Sequence, residues 1–284
     1  MRLYTGYPGV DELLRGALEE DIGAGDVTSR CCVEENAVSS GVFRAKEAGV
    51  ICGLGVAARV FELLDGGIVF RALTSDGDEV GAHAAIAEIE GPSRSILAGE
   101  RVALNLLRRL SGIATRTAAA VRSAEGCGGA RIVDTRKTTP GLRALEKYAV
   151  RCGGGFNHRF GLYDGVLIKD NHIAASGGIA TAVARARRYA PHTLKIEVET
   201  ENMEHVAQAL EAGADIIMLD NMTARQIAEA VRLIDGRALT EASGNMGERD
   251  IAEIAAAGVD IISIGALTHS VRDMDINLKF VFSR

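Results

Sequence analysis

The second half of the chain repeats one pattern, which reads LKIEVE at residues 194–199, DIIMLD at 215–220 and DIISIG at 260–265. Each aliphatic run ends in a polar or small residue, and an Ala-rich amphipathic stretch lies before the next run. Strands that alternate with helices in this way are typical of parallel β/α units. The pattern predicts strands at 131–133, 166–168, 194–198, 215–219, 238–240 and 260–264, and helices at 179–189, 203–212, 224–234 and 251–257.

The polar residues at the strand ends are regularly spaced. Lys169, Glu199, Asp220 and Glu241 follow one another at intervals of 30, 21 and 21 residues. One reactive side chain at each strand end is the layout of a β/α barrel, in which the carboxyl ends of the strands carry the active site. Only six or seven such units fit into this part of the chain, so the sequence predicts an incomplete barrel over residues 111–270.

The first hundred residues show no comparable period. Apolar alternation predicts strands at 42–46, 68–72 and 84–90, and helices at 56–64 and 101–110. We therefore expect residues 1–110 to form a separate domain that mixes helices with a sheet.

Composition excludes several classes of protein. The chain has 284 residues, of which 47% are hydrophobic and 25% charged, so it is neither disordered nor a disulfide-framed mini-protein. A net charge of −6 argues against a general nucleic-acid coat protein. No signal-peptide core and no membrane-spanning apolar run is evident, and the five cysteines lack zinc-binding spacing. We expect a cytoplasmic protein with reduced cysteines, most of them small core residues.

Positive charge is concentrated in one window. Residues 131–172 contain eight Lys and Arg against four acidic residues in an otherwise acidic chain, which predicts a local anion site. Arg143, Lys147 and Arg151 follow helical spacing, and we interpret these three as a mainly structural, solvated helix face.

Three motifs in this window carry the other cations: DTRKTTPG at 134–141, GGGFNHR at 153–159 and KDNH at 169–172. Arginine binds a carboxylate through two parallel hydrogen bonds, and lysine is a compact partner for phosphate. Each motif also has a purely structural alternative. DTRKTTPG could be a capped βα loop, GGGFNHR a flexible surface loop, and KDNH a turn that caps the next helix.

Acidic and small residues follow the later strands. Glu199 and Asp220 are one unit apart and suit Mg²⁺ held together with a phosphorylated substrate, or the stabilisation of a cationic transition state. Salt bridges to neighbouring cations are the alternative. The Ser- and Gly-bearing turns at 241–245 and 263–266 each precede a helix, where backbone N–H groups can bind phosphate.

A glycine pattern at residues 50–58, VICGLGVAA, matches the G-x-G-x-x-A form of dinucleotide sites. That motif requires a parallel βαβ unit, and the residues that follow are typical of a β-meander. We therefore do not favour a dinucleotide site.

Taken together, the motifs resemble those of the quinolinate phosphoribosyltransferases, also called carboxylating nicotinate-nucleotide pyrophosphorylases. The resemblance covers essentially the whole chain. It is carried, in order, by EDIGAGDVTS at 20–29, DTRKTTPG, GGGFNHR, GLYD at 161–164, LIKDNH at 167–172, EVE at 197–199, LDN at 219–221 and EASGN at 241–245.

The resemblance implies an N-terminal α/β sandwich domain plus an incomplete, seven-stranded α/β barrel, with residues 271–284 returning to the first domain. It implies a homodimer, with further assembly left open, and no nucleic-acid or membrane partner. The implied reaction converts quinolinate and phosphoribosyl pyrophosphate (PRPP), with Mg²⁺, into nicotinate mononucleotide, pyrophosphate and CO₂ during NAD synthesis.

The resemblance also implies roles for individual residues. Arg136, His158, Arg159 and Lys169 would bind the quinolinate carboxylates, and Arg101 would reach this site from the partner subunit. Lys137, Glu199 and Asp220 would be the catalytic residues that handle PRPP, Mg²⁺ and the ribose. The remaining substrate-binding residues would be Thr135 and, around the 5′-phosphate, Ser243, Gly244, Asn245, Ser263, Gly265, Ala266 and His269.

Two other functions fit part of the pattern. A molybdenum-transport-associated relative of the same fold is expected to differ around GGGFNHR and KDNH, and a regulatory anion sensor has no need for Glu199 and Asp220. Gly165 departs from the family pattern, in which we expect a larger residue. We expect this change to loosen strand packing without affecting the chemistry.

Overall fold

The computed structural model describes residues 7–281. Its elements are, in chain order, α1 (Val10–Ile22), α2 (Val27–Cys32), β1 (Val38–Ala45), β2 (Gly49–Val50), α3 (Leu54–Leu64), β3 (Val69–Ala72), β4 (Glu79–Val80), β5 (Ala85–Pro92), α4 (Ser93–Glu125), β6 (Arg131–Val133), α5 (Arg143–Cys152), β7 (Val166–Ile168), α6 (Asp170–Ser176), α7 (Ile179–Tyr189), β8 (Ile196–Thr200), α8 (Met203–Glu211), β9 (Ile216–Asp220), α9 (Ala224–Ile234), β10 (Leu239–Ser243), α10 (Ile251–Ala256), β11 (Ile261–Ser263), α11 (Ala266–His269) and β12 (Ile276–Val281).

The described residues form two compact units. The first contains the chain up to Arg116, the segment Pro140–Gly154 and the residues from Val271 onward, and the second contains Thr117–Thr139 and Gly155–Ser270. The domains predicted from the sequence are instead two continuous ranges with a C-terminal return. The predicted first domain, 1–110 with 271–284, includes residues 1–6 and 282–284, which lie outside the described residues.

An antiparallel sheet forms the core of the first unit. Its strand order is β12-β1-β5-β3, with β1 paired to both β12 and β5. Phe43 on β1 and Phe61 on α3 are fully buried, and their ring centroids lie 6.2 Å apart. The three strands and two helices predicted for this region are all present, although α4 is far longer than the predicted 101–110.

Helix α5 corrects one interpretation of the sequence. Lys147 is fully buried rather than solvated, and its neighbour Glu146 is fully buried and paired with Arg109 at 2.7 Å. The i, i+4 spacing of cations indicated the helix but not its exposed side. Burial of a charged residue depends on partners from elsewhere in the unit, which helical spacing cannot reveal.

The glycine pattern at 50–58 forms no dinucleotide site. Strand β2 pairs antiparallel with β4, so the required parallel unit is absent from this segment. The N–H groups of Gly53 and Leu54, at the start of α3, donate to the carboxylate of Asp76 at 2.9 and 3.0 Å. A side chain of the same unit thus occupies the helix N-terminus where a pyrophosphate would bind.

The second unit is an incomplete α/β barrel built on a parallel sheet. The strand order is β6-β11-β10-β9-β8-β7, and every pairing is parallel. The sheet has six strands rather than the seven implied by the family resemblance, since Phe156 contributes a single parallel bridge to Val133. The mixed α/β fold predicted from the sequence is confirmed.

The predicted elements of this unit lie close to the observed ones. Strands 131–133 and 166–168 and helices 179–189 and 224–234 match their predicted bounds. Thr223 caps α9 by accepting the Gln226 N–H, and Ile227, Ala230 and Ile234 are buried along one side of that helix. Among residues 7–281, no helix has the length and apolarity needed to cross a lipid bilayer.

Candidate active site

The strand ends of the parallel sheet surround a cavity of about 480 Å³. Because parallel strands present their carboxyl ends at one edge, the polar residues that follow them converge there. Most of the predicted site residues line this cavity: Thr135, Arg136, Lys137, His158, Arg159, Lys169, Glu199, Asp220, Ser243, Gly244, Asn245 and Ser263.

Asp134 holds two parts of the site together. It follows β6, is fully buried, and accepts hydrogen bonds from Asn157 Nδ2 at 2.5 Å and from the His158 N–H at 2.9 Å. The Phe156 N–H also donates to the Ile132 carbonyl at 2.8 Å. These bonds place the segment that carries His158 beside the end of β6.

Arg136 and Arg159 bring two positive charges close together at the cavity. The Nε atom of Arg136 is buried and has no hydrogen-bond partner among residues 7–281. Burial, and then repulsion from Arg136, lowers the pKa of Arg159, while Glu197 and Asp164 act in the opposite direction. Two partly buried guanidinium groups that repel each other favour the binding of an anion between them.

Gly165 lies against this pair. Arg159 Nη1 donates to the Gly165 carbonyl at 3.1 Å, and a Cβ atom on Gly165 would lie 3.1 Å from the Cβ of Arg159. A larger residue here would push on the arginine. Residue 165 therefore lies in contact with a residue of the cavity, and the expectation that glycine here leaves the chemistry unaffected stays a prediction.

The carboxylates at the ends of β8 and β9 have polar partners within the cavity. Lys169 Nζ contacts Glu199, and Asn221 Nδ2 donates to Asp220 at 2.7 Å. The salt bridge that the sequence analysis kept as an alternative therefore exists for Glu199. Both carboxylates nevertheless line the cavity and supply the oxygen donors that Mg²⁺ prefers.

A buried cluster lies at the inner side of the cavity. His158 Nε2 is 3.2 Å from Glu197 and 3.5 Å from Glu241, and both glutamates are at most 4% exposed. His158 Nδ1 accepts the Arg159 N–H at 2.7 Å, so the neutral ring carries its proton on Nε2, toward the glutamates. Burial, followed by repulsion from Glu197, raises the pKa of Glu241 to about 8.

The small residues after β10 and β11 form tight turns. Gly244 and Asn245 both have left-handed backbone conformations, and a Cβ on Gly244 would collide with Asn221. Gly265 lies close to Lys137, since a Cβ there would be 3.0 Å from Lys137 Cδ. Thr268 Oγ1 donates to the Lys137 carbonyl at 2.8 Å, which fixes the turn that follows β6 to helix α11.

Some predicted site residues do not line the cavity. Gly265, Ala266 and His269 lie in and before α11, and Arg101 is exposed on α4 within the first unit. The lining also includes four residues that sequence reasoning did not assign to the site. Two of them had a signal in the sequence, since Glu241 is one of the regularly spaced polar residues at the strand ends and Asn221 is part of the LDN motif. Leu167 and Met218 had no such signal.

The fold and the cavity are those of an α/β-barrel protein with cationic side chains at the carboxyl ends of its strands. Models of the N- and C-terminal domains of quinolinate phosphoribosyl transferase match residues 26–111 and 113–279. These matches cover most of the chain. The chain belongs to the quinolinate phosphoribosyltransferase family.

Individual relatives agree with this assignment. A probable nicotinate-nucleotide pyrophosphorylase (carboxylating) of Bacillus subtilis (strain 168) is 46% identical over 272 residues, which cover 96% of this chain and 93% of the relative. The corresponding protein of Methanocaldococcus jannaschii is 45% identical over 278 residues, covering 95% and 96%. The structure of the nicotinate-nucleotide pyrophosphorylase from Francisella tularensis aligns with a TM-score of 0.92 at 41% identity, covering 98% of this chain and 99% of that one.

The raised pKa of Glu241 predicts a pH dependence of stability. The carboxyl group titrates near 4.5 when unfolded and near 8 when folded, so the folded state binds its proton more tightly between these values. The free energy of unfolding should therefore fall as pH rises from about 4.5 to about 8. Glu241→Gln should remove part of this slope, as measured by urea unfolding at pH 5 and pH 8.5. Exposed Glu211 supplies the control, Glu211→Gln, and equal slopes in all three proteins would contradict the prediction.

Proposed function

We propose that the cavity binds quinolinate beside PRPP and that the protein transfers the phosphoribosyl group to the quinolinate nitrogen with loss of CO₂. The products are nicotinate mononucleotide, pyrophosphate and CO₂, and the reaction belongs to NAD biosynthesis. The observation that carries this proposal is the partly buried pair Arg136 and Arg159 at the strand ends, whose charges repel each other, in a chain of this family.

Quinolinate carries two adjacent carboxylates, and its binding needs cations held in fixed positions. Arg136 and Arg159 bind these carboxylates through their guanidinium groups, and Lys169 adds a third positive charge. The predicted role of His158 as a further carboxylate ligand stays a prediction, because its Nδ1 already accepts the Arg159 N–H and its Nε2 lies near Glu197.

PRPP occupies the part of the cavity between Lys137 and the later strands. Lys137 faces the pyrophosphate, and the turns at 243–245 and 263–266 hold the 5′-phosphate with backbone N–H groups. Glu199 and Asp220 would hold Mg²⁺, which when bound would supply positive charge for the pyrophosphate group. The same two carboxylates stabilise the positive charge that develops on the ribose during transfer.

The chain needs little acid–base chemistry for this reaction. The ring nitrogen forms a bond to the anomeric carbon as the bond to pyrophosphate breaks. The ring nitrogen is then cationic and stabilises the electron pair that stays on ring carbon 2 when the 2-carboxylate leaves as CO₂. Carbon 2 then takes up a proton to give nicotinate mononucleotide. The protein orients the two anions and stabilises the charges, so no organic cofactor is required.

The reaction itself is the test of the proposed function. The protein should release CO₂ from carboxyl-labelled quinolinate only when PRPP and Mg²⁺ are both present. An anion sensor, or a relative that serves molybdenum transport, would bind an anion without releasing label. Absence of release with both partners present would overturn the proposal.

Arg136→Ala should greatly weaken the use of quinolinate. Loss of one partner of a buried, hydrogen-bonded charge pair costs roughly 2–5 kcal/mol, which corresponds to about 30- to several-thousand-fold in kcat/KM. Steady-state kinetics with quinolinate as the varied substrate measure this change. Arg249→Ala changes a cation on the loop before α10 that does not line the cavity, and it serves as the control. Unchanged kinetics in Arg136→Ala would refute the assigned role.

The double variant Glu199→Ala/Asp220→Ala should lower turnover more than quinolinate affinity, because the two carboxylates act on the metal, the ribose and the transition state. Quinolinate binding, followed by calorimetry without PRPP, should change less than kcat does. If only the affinity for quinolinate falls, the two carboxylates act on quinolinate, and their assignment to PRPP and the metal is wrong.

We also propose that the protein works as a homodimer in which Arg101 completes the partner's site. The support is the family resemblance together with the exposure of Arg101 on α4. Mixed dimers of Arg101→Ala and Arg136→Ala protomers contain one site with both arginines intact, so the mixture should regain activity that neither variant has alone. Failure of the mixture to recover, with subunit exchange confirmed by mass spectrometry, would count against a shared site.

A further inference from the structure

The first unit contains a pair of cysteines that the proposed reaction does not use. The ligand atoms of Cys52, Asp76 and Cys152 all lie within 4.8 Å of one another. Cys52 is fully buried at the end of the segment before α3, and Cys152 is the partly exposed last residue of α5. The expectation that most cysteines are core residues is wrong, since Cys31 and Cys32 are exposed, Cys127 and Cys152 are half-buried, and Cys52 alone is buried.

The partners of Asp76 argue against a metal site at this cluster. One carboxylate oxygen accepts the N–H groups of Gly53 and Leu54, and the other accepts the Tyr148 hydroxyl at 2.8 Å. Both oxygens are therefore engaged in holding the start of α3 and helix α5. Two neighbouring sulfur atoms are left as the reactive part of the cluster.

The two thiols differ in pKa, as expected for a pair in which one sulfur reacts first and the other resolves the product. Hydrogen bonding from Cys52 lowers the pKa of the Cys152 thiol, although its burial opposes the shift. Burial raises the pKa of the Cys52 thiol. The thiolate is the nucleophile in sulfur oxidation, so Cys152, the less buried of the two residues, carries the more reactive sulfur. The Cys52 sulfur lies within 4.8 Å of it, and a disulfide bond of about 2 Å requires the two sulfur atoms to move together by less than about 3 Å.

We propose that Cys152 and Cys52 are an oxidation site that a hydroperoxide converts into an intramolecular disulfide. The Cys152 thiolate attacks a peroxide oxygen, an S–O bond forms as the O–O bond breaks, and hydroxide leaves and takes up a proton. The Cys52 sulfur then attacks the Cys152 sulfenic acid, the S–S bond forms as the S–O bond breaks, and water leaves with the thiol proton. Two thiols are oxidised, and one hydrogen peroxide is reduced to two waters.

The proposed disulfide would lie next to a segment that carries residues of the cavity. Cys152 is followed directly by residues 153–159, the segment that ends in His158 and Arg159. A disulfide would fix the end of α5, immediately before this segment, to the residue that precedes the cap of α3.

The experiment uses the full chain with Cys31, Cys32 and Cys127 replaced by Ser, so that only the pair remains. After brief treatment with hydrogen peroxide and alkylation, tryptic digestion without reductant should yield peptides 47–59 and 152–159 joined by a disulfide. Each peptide contains one of the two cysteines. Dithiothreitol should separate the peptides again.

Two single variants in the same background test the order of events. In Cys52→Ser, Cys152 should accumulate as a sulfenic acid that dimedone traps, because the resolving thiol is absent. In Cys152→Ser, loss of the Cys52 thiol should slow at least about tenfold, because a buried thiol with a raised pKa reacts poorly on its own.

Three results would overturn the proposal. The first is the survival of both thiols under conditions that oxidise the exposed Cys31 of the unmodified chain. The second is the conversion of Cys152 to sulfinic acid while Cys52 is present. The third is linkage between chains, which a mixture of isotopically labelled and unlabelled protein detects.

Discussion

Repulsion between Arg136 and Arg159 at the carboxyl edge of the parallel sheet constrains the whole site. Two guanidinium groups that are partly removed from water destabilise each other unless an anion lies between them. Asp134 sustains the arrangement by accepting two hydrogen bonds from the segment before Arg159. The absence of a side chain at residue 165 leaves room for the Arg159 stem. The fixed positions of the two arginines thus favour the binding of a dianionic substrate.

Strand β8 separates two kinds of carboxylate. Glu197 and Glu199 are two residues apart and so lie on the same side of the strand, at different depths of the sheet. Glu199, nearer the end of the strand, contacts Lys169 and lines the cavity. Glu197 is buried with His158 and Glu241, where desolvation keeps Glu241 protonated near neutral pH. The outer carboxylate lines the cavity, whereas the inner one is buried against His158 and Glu241.

Helix α5 shows how one segment serves both stability and chemistry. It begins shortly after the DTRKTTPG motif and ends at Cys152, directly before the GGGFNHR motif. Its buried residue Glu146 pairs with Arg109 of the first unit, and Tyr148 ties it to Asp76. The same anchoring brings Cys152 close to Cys52, so the packing that secures the helix also creates the sulfur pair.

The sequence by itself determined the β/α repeat, several element bounds to the residue and most residues of the cavity. These features are local, because strand and helix periods follow from neighbouring residues, and parallel strands always present their carboxyl ends at one edge. Only the tertiary structure decided the features that depend on distant partners. These include the burial of Lys147, the contact of Gly165 with Arg159, and the approach of Cys52 to Cys152 across a hundred residues of chain. They also include the number of strands in the parallel sheet, which is six rather than seven. No local pattern specifies such contacts, since packing of the complete chain sets which distant residues meet.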